Sequence, residues 1–331
     1  MDSMESQKNI DIKENDLLKL DPELLAILLK DKSTDRNIIW ATDNYAKHGE
    51  AYAPDQEIKA EQVTSRHGNI IKPRVGKSRA EQQQRIRQKA EVFTPSWVCN
   101  MQNNLVDEAW FGRKNVFTIE KEHSWEPVKG KIKFPDSPGK TWQEYVCLKR
   151  LEVSCGEAPY LTSRYDAVTG DFIGVPDRIG ILDRKLRIVG EHAESREDWL
   201  KWACTAVQNV YGFEWQGDSL LIARENILFT LAEHYKAKFE GEPGTQDLIT
   251  FAKVIAWNIW QMDGLKFVVP GSCCTEEVVE EDLFERHVVS RPCEGCRTGD
   301  NTKHNGVYCK IKDWETHKNV RFVDSVTGGE K

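Results

Sequence analysis

Two short segments in the middle of the chain place the strongest constraint on its fold. The first, from Leu151 to Tyr160, predicts a short strand that runs into a turn containing Gly156. The second, from Tyr211 to Asn226, predicts a strand that ends at Glu214, then a turn and a helix. In parallel α/β sheets a nucleotide-type ligand binds at the carboxyl ends of the strands, where a turn glycine admits it and an acid accepts hydrogen bonds from its ribose. The two segments therefore predict such a site.

The composition limits the class of protein. A chain of 331 residues can form one large α/β domain or two small ones. No apolar run approaches the ~20 residues that span a membrane, and the N-terminus lacks the pattern of a signal peptide. We therefore expect a cytoplasmic protein with no membrane segment. In that compartment the nine cysteines indicate reduced thiols or a metal site rather than a disulfide framework.

Both central segments resemble the S-adenosylmethionine site of adenine-N6 DNA methyltransferases. Those enzymes carry an acid-x-x-Cys-Gly turn, matched here by Glu152 to Gly156, and a Tyr-Gly-x-acid strand end before an Ala-Arg-x-Asn helix, matched by Tyr211 to Asn226. Upstream, Phe93-Thr94-Pro95 matches their Phe-Thr-Pro motif. Three motifs in the family's order are more specific than any one of them. Nearly the whole chain also resembles bacterial proteins described as restriction endonuclease subunit M.

The resemblance implies a fold and a function. The fold is α/β, the Rossmann-like class I methyltransferase fold, with a mostly parallel sheet and a C-terminal antiparallel hairpin. We expect residues 1–90 to form a helical, basic extension, residues 91–270 the methyltransferase-like core, and residues 271–331 a cysteine-rich segment and hairpin that complete the sheet. The implied function is methylation of the adenine amino group of DNA in restriction–modification or phage defence, with DNA and a specificity or nuclease subunit as partners.

The resemblance also assigns the cofactor, S-adenosylmethionine, to particular residues. Glu214 would hold the ribose hydroxyls, Gly156 would admit the methionine part, and Thr94 would contact its carboxylate. Trp215 would pack against the adenine ring, and Asp247 stands where the family often has an acid that binds this ring. The other cofactor-binding candidates are Phe93, Pro95, Glu152 and Cys155. In the purely structural alternative, Glu214 is an exposed acid at a strand end and Cys155 a small packing residue.

The catalytic motif is the point at which the chain departs from the family. Adenine methyltransferases use an Asn/Asp-Pro-Pro-aromatic loop after the fourth strand, and this sequence has no such stretch. The best positional substitute contains Asn258 and Trp260, which we predict as the catalytic pair. Prolines rigidify a loop, so their loss favours a rival reading: a catalytically degenerate, DNA-binding or scaffolding subunit of a defence complex.

Secondary-structure patterns leave one ambiguity near this loop. The pattern of residues 252–257 is consistent either with a strand ending at Asn258 or with part of a helix that starts at Asp247. Elsewhere we predict strands over 37–42 and 265–269, a C-terminal hairpin from 307–312 and 319–323, and an inserted loop over 163–183. An amphipathic helix over 16–30 should have Asp21 as its cap and Pro22 in its first turn. A further helix after Pro95 should present Trp97, Met101 and Leu105 on one face.

Two further sequence features suggest binding chemistry. A Cys-x-x-Cys pair with nearby cysteines can hold tetrahedral zinc, so we predict a structural zinc at Cys293, Cys296, Cys309 and Cys274, against free thiols in a loop. From Lys59 to Lys89 there are nine Lys or Arg residues against Glu61 and Glu81. This segment is either a surface that neutralises DNA phosphates or a solvated helix face and loop.

Overall fold

A three-stranded parallel sheet lies at the centre of the fold. The computed structural model describes residues 14–89, 91–281 and 286–328. The sheet has the order β3 (Arg150–Glu152), β4 (Val210–Glu214), β5 (Ile259–Gln261), and Glu152 is paired with Gly212, which is paired with Ile259. Parallel neighbours require long crossover connections, and helices supply both of them. The expectation of an α/β fold with parallel strands is confirmed, although the parallel sheet is small.

Helices surround this sheet, and small antiparallel ribbons lie outside it. Among the described residues three antiparallel ribbons pair β1 (Thr118–Lys121) with β2 (Ser124–Pro127), β6 (Thr275–Glu281) with β7 (Arg286–Pro292), and β8 (Lys310–Lys312) with β9 (Asn319–Arg321). The helices are α1 (Glu14–Leu20), α2 (Pro22–Leu29), α3 (Ala60–Val63), α4 (Arg79–Lys89), α5 (Ser96–Phe111), α6 (Trp142–Val146), α7 (Ile181–His192), α8 (Arg196–Gln208), α9 (Gly217–Phe239), α10 (Thr245–Asn258), α11 (Glu294–Thr298) and α12 (Phe322–Thr327). Among the described residues, none of these helices is both long and apolar enough to cross a membrane.

The main hydrophobic core contains residues from the N-terminal segment as well as from the helices around the sheet. Leu24, Leu28 and Trp40 are buried in the same cluster as Leu220 and Ile255. The N–H of Gly217 donates to the Trp40 carbonyl at 3.2 Å, and a Cβ at Gly217 would lie only 2.1 Å from the Ile39 oxygen. Only glycine therefore allows the N-terminal segment to approach the start of α9 this closely.

A second, smaller core covers the other side of β4 and β5. It contains Phe213, Trp260, Met262, Val269, Cys309 and Phe322. The backbone of Cys309 connects this region, since its N–H donates to the Phe267 carbonyl at 3.0 Å and its carbonyl accepts from Phe322 at 2.9 Å. The predicted C-terminal hairpin is present as β8 and β9, but it forms a separate two-stranded sheet and does not extend the parallel one.

Several predicted elements are found, and others are wrong. Asp21 caps α2, its carboxylate accepting from the Glu23 N–H at 2.8 Å with Pro22 at the first position, as predicted. Residues 252–257 belong to the helix α10, which settles the ambiguity against a strand. Residues 265–269 form a turn in which only Val268 makes β-bridges.

The segment predicted as a strand over 37–42 makes only isolated bridges, Lys30 to Asn37 and Ile39 to Glu57. On the side of this segment that faces the parallel sheet, a side chain makes the hydrogen bonds that a neighbouring strand would make. The Gln261 amide accepts from the Ile39 N–H at 2.9 Å and donates to the Ile39 carbonyl at 2.8 Å. A buried side-chain amide therefore satisfies the Ile39 backbone groups on the edge that faces the parallel sheet.

The helix α5 has a largely polar buried face opposite the predicted apolar one. Met101 and Leu105 are exposed, whereas Asn100, Asn103 and Asp107 are buried. The buried face is polar because it receives hydrogen bonds and an ion pair: Arg184 donates to Asn100 at 2.9 Å and pairs with Asp107. The apolar spacing did not reveal this polar face, whose buried groups are tolerated because most of their polar atoms are bonded.

Candidate functional site

A cavity of about 980 Å³ opens at the carboxyl ends of β3 and β4. Three segments that are distant in sequence meet there: residues 91–94, the turn after β3, and the end of β4. Seven of the nine predicted cofactor residues line this cavity: Phe93, Thr94, Glu152, Cys155, Gly156, Glu214 and Trp215. The other two, Pro95 and Asp247, are not among its lining residues. The structure thus brings together the three motifs on which the resemblance was based.

The turn after β3 is held directly against the end of β4. The Cys155 N–H donates to the Phe213 carbonyl at 2.9 Å, and the Gly156 N–H donates to a Glu214 carboxylate oxygen at 2.9 Å. Gly156 has a φ of +53°, in the left-handed region that glycine adopts without strain. A Cβ at this position would lie 3.7 Å from the Phe93 ring. The glycine, the acid and the aromatic ring therefore form one wall of the cavity.

Glu214 provides a largely buried carboxylate at the end of β4. One oxygen accepts from Gly156, and the other accepts from the Gln216 N–H at 3.1 Å. Burial raises the pKa of Glu214, although these backbone N–H groups oppose the shift. A carboxylate has about four lone-pair sites, so two bonded N–H groups leave capacity to accept ligand hydroxyls.

Glu152 lies one strand away and is bonded in the same manner. Its carboxylate accepts from the Tyr160 N–H at 3.3 Å and the Leu161 N–H at 3.1 Å. Burial raises the pKa of Glu152 to about 8, partly opposed by those two N–H groups, and the neighbouring Glu214 raises it further. The carboxyl groups of Glu152 and Glu214 therefore disfavour each other's ionisation.

Apolar side chains surround the opening of the cavity. Val92, Val106, Leu151, Val153 and Trp215 are all exposed and all line it. The Trp215 ring is fixed by its N–H, which donates to the Ala41 carbonyl at 2.8 Å. Exposed apolar residues that are grouped around a cavity mark a ligand-binding surface more often than scattered ones do.

A buried ionic network, which sequence reasoning missed, attaches the N-terminal segment to this wall. Arg85 pairs with Glu91 and donates to Asp218 at 2.8 Å, while the Tyr45 hydroxyl donates to the same Asp218 at 2.7 Å. Burial opposes ionisation of Asp218, but Arg85 and Lys77 lower its pKa to about 2. The sequence signal was the set of charges itself, because the contacts with Asp218 join residues more than 100 positions apart.

This network also accounts for part of the basic segment between Lys59 and Lys89. Arg85 and Lys77 are buried beside Asp218, and Lys89 pairs with Asp43 at 2.8 Å. Lys59, Arg66, Arg79 and Arg87 remain exposed. Only a part of the predicted phosphate-neutralising charge therefore faces solvent.

Two residues of the Ala-Arg-x-Asn motif connect the segments around the site through buried hydrogen bonds. Arg224 donates to the carbonyls of Ile259 at 2.8 Å and Lys30 at 3.0 Å. Asn226 donates to the Glu157 carbonyl at 3.0 Å and to the Tyr165 hydroxyl at 3.1 Å. Both side chains are buried, so their role is to hold the sheet, the turn after β3 and the inserted loop together.

The predicted catalytic pair lies away from the cavity. Asn258 is completely buried at the amino end of β5, and its amide donates to the carbonyls of Val207, Gln208 and Val210 at 3.0 Å each. Trp260 is buried in the second core, with its ring 5.0 Å from that of Phe322. Neither residue lines the cavity, so the structure does not place the predicted catalytic groups next to the predicted cofactor groups.

Asp247 has a structural role in this chain. Its carboxylate accepts from the N–H of Gly244 at 3.0 Å and pairs with Arg196 at 2.7 Å. It therefore caps the start of α10. Pro95 directly precedes α5 and accepts from the Cys99 N–H at 3.1 Å.

A second site lies in the C-terminal part of the chain. The Sγ atoms of Cys273, Cys293 and Cys296 and the Nδ1 atom of His304 all lie within 4.8 Å of one another. This Cys₃His cluster is compatible with a structural zinc. The Cys-x-x-Cys pair belongs to it as predicted, whereas Cys273 and His304 take the places that we assigned to Cys274 and Cys309.

The two replaced cysteines have other environments. Cys309 is buried in the second core, where its thiol donates to the Gln261 carbonyl at 3.2 Å. Cys274 is exposed, and only its backbone is held, by the Asn305 side chain at 3.0 and 3.2 Å. Successive residues of an extended segment point to opposite sides, which explains why Cys273 and not Cys274 faces the cluster.

No family model, curated protein or solved structure matches this chain.

Proposed function

We propose that the cavity binds S-adenosylmethionine and that the protein methylates the adenine amino group of DNA, within restriction–modification or phage defence. One observation carries this proposal. Segments that resemble three successive motifs of adenine methyltransferases, separated by up to about 120 residues of sequence, line a single cavity at the carboxyl ends of parallel strands. Chance resemblance in three segments gives no reason for them to meet.

The residues present fit this cofactor. The Glu214 carboxylate has the remaining capacity to accept from both ribose hydroxyls, and Trp215 and Phe93 offer rings to the flat and apolar parts. Gly156 leaves the wall free of a side chain beside Phe93. The cofactor, when bound, supplies an electrophilic methyl group, and the chain's contribution is to hold and orient both reactants.

Two features of the surface are consistent with a nucleic-acid substrate. The apolar rim of the cavity suits a base that has left the duplex, since such bases stack on apolar and aromatic side chains. Exposed Arg79 and Arg87 on α4 belong to a segment that precedes residues 91–94, which line the cavity. A polynucleotide backbone would find cations there.

A second function is favoured by the position of Asn258. In the family the catalytic loop follows a fourth strand, whereas the described residues form three parallel strands, and Asn258 lies at their amino ends. A cofactor-binding subunit that does not transfer the methyl group, and that serves a defence complex as a DNA-binding or scaffolding component, is therefore the alternative.

Titration calorimetry of the full chain with S-adenosylmethionine tests the shared part of both functions. We expect Glu214→Ala to weaken binding by about 100-fold, because hydrogen bonds to a charged group contribute roughly 1.5–3 kcal/mol. Glu197→Ala, at an exposed acid on α8, should bind as the wild type does. Trp215→Ala, at a partly exposed ring, provides a second variant that does not disturb the buried carboxylate.

Transfer of a tritiated methyl group to unmethylated DNA then separates the two functions. Binding together with transfer supports the methyltransferase. Binding without transfer, with DNA retained by the protein, supports the non-catalytic subunit. A folded wild-type chain that binds no S-adenosylmethionine contradicts both proposals.

A further inference from the structure

The Cys₃His cluster has the dimensions of an occupied metal site. Cys273 Sγ lies 3.4 Å from Cys293 Sγ and 3.7 Å from Cys296 Sγ. The His304 Nδ1 atom lies 3.6, 3.5 and 3.7 Å from the sulfurs of Cys273, Cys293 and Cys296. With Zn–S near 2.3 Å and Zn–N near 2.0–2.1 Å, a regular tetrahedron has S···S edges of about 3.8 Å and S···N edges of about 3.6 Å. The five separations agree with these edges.

We infer that Cys273, Cys293, Cys296 and His304 bind one Zn²⁺ ion, which ties the base of the β6–β7 ribbon to α11 and to the loop before β8. This inference does not depend on the proposed methyltransferase function. Three thiolates and one imidazole in a tetrahedron favour zinc over harder ions such as Mg²⁺ or Ca²⁺. Four protein ligands leave no open position, so the ion is structural and not catalytic.

The surroundings of the ligands are those of a built site. Gly295, between the two cysteines of the Cys-x-x-Cys pair, has no room for a side chain: a Cβ would lie 2.6 Å from His304 Nδ1. The backbone N–H of His304 donates to the Tyr308 hydroxyl at 2.7 Å. The ring Nε2 atom of His304 lies 3.4 Å from the Asn301 side-chain oxygen. An outer partner on the second ring nitrogen is typical of metal-bound histidine.

The ribbon explains why the chain needs this ion. Cys273 precedes β6 by two residues, and Cys293 directly follows β7. An isolated two-stranded ribbon is marginally stable in water, and Val279 and Val288 on this ribbon are exposed rather than packed in a core. A metal at its base replaces the packing that the strands do not have, and Val269 and Tyr308 connect that base to the rest of the chain.

Metal analysis of the full chain, purified without a histidine tag, tests the inference. We expect one zinc per chain by mass spectrometry of the metals. Cys296→Ser and His304→Gln should each lose most of it. The matched control is Cys274→Ser, since this neighbouring thiol lies outside the cluster and its loss should leave the zinc content unchanged. A zinc content that falls in Cys274→Ser but not in Cys296→Ser would overturn the ligand set.

Cobalt substitution of the wild-type chain covers the case in which a variant does not fold. Three thiolates and one imidazole should give Co²⁺ the intense visible bands of a tetrahedral site and a sulfur-to-metal charge-transfer band. S-adenosylmethionine binding should persist in Cys296→Ser, which distinguishes this site from the cavity. Absence of zinc from the wild type together with absence of those bands, or iron in place of zinc, would overturn the inference.

Discussion

The carboxyl and amino ends of the parallel sheet both carry residues that the sequence marks as functional, but they differ in kind. At the carboxyl ends, Glu152 and Glu214 border an open cavity. At the amino ends, Asn258 is enclosed, and its side-chain amide is bonded to carbonyls of α8 and β4 and to the Trp314 ring N–H at 2.8 Å. A polar residue next to a strand therefore has a different role according to which end of the strand it occupies.

The difference arises from the position at which α10 ends and β5 begins. Had residues 252–257 formed a strand, Asn258 would have followed it and reached the cavity side. They form the end of α10 instead, and the strand starts at Ile259, so Asn258 precedes it. A shift of one element moves a candidate catalytic group to the opposite edge of the sheet.

The largest effect on stability should come from Asn258→Ala. The change leaves three buried carbonyls and the Trp314 N–H without their partner, and each such loss costs roughly 1 kcal/mol. We expect a decrease of about 4 kcal/mol in the free energy of unfolding, measured by urea denaturation, with unchanged S-adenosylmethionine affinity. Gln246→Ala, at an exposed position on the same helix, is the control. A stable variant that binds the cofactor but transfers no methyl group would return Asn258 to a catalytic role.

At the opposite end of the sheet, Glu152→Gln should change how stability depends on pH. Burial raises the pKa of Glu152 to about 8 in the folded protein, against about 4.3 in an unfolded chain. Protonated Glu152 therefore contributes stability to the folded protein. This contribution is complete below the unfolded pKa and is lost as the pH rises through 8. The wild type should therefore lose roughly 3.5 kcal/mol more stability than Glu152→Gln between pH 5 and pH 8, since each pH unit between the two pKa values corresponds to about 1.4 kcal/mol and the loss levels off near the folded pKa.

Urea denaturation at four pH values between 5 and 8 measures this difference. The control is Glu197→Gln, an exposed acid, whose curve should run parallel to that of the wild type. If the curve of Glu152→Gln is also parallel to that of the wild type, Glu152 is ionised in the folded protein and its neighbours must stabilise its charge.

The smallest effect on stability should come from Gly156→Ala. An alanine at a φ of +53° costs about 1 kcal/mol. The new methyl group would lie on the cavity wall beside Phe93. We therefore expect the affinity for the cofactor to fall by about tenfold, in addition to the loss of stability. Gly241→Ala, at a glycine without positive φ, should alter neither quantity. A loss of stability with unchanged affinity would show that Gly156 serves only the turn.

The two candidate sites were predictable to different extents. For the cavity, seven of the nine residues named from the sequence line it, because local motifs contain both the strand end and the turn that follows it. Asp247 failed because its role depends on Arg196, which is 51 positions away. For the metal cluster, the Cys-x-x-Cys spacing identified two ligands, but nothing local distinguished Cys273 from Cys274 or selected His304.

The sequence by itself determined the α/β class, the cap of α2, the C-terminal hairpin and the order of the cavity motifs, because each depends on residues close together in the chain. The tertiary structure decided which face of α5 is buried, which end of the sheet holds Asn258, and which four side chains form the Cys₃His cluster. Those outcomes depend on partners such as Arg184, Val210 and His304 that only folding brings near. The physical reason is that a side chain's burial, charge and free hydrogen-bonding capacity belong to its surroundings, which local patterns do not encode.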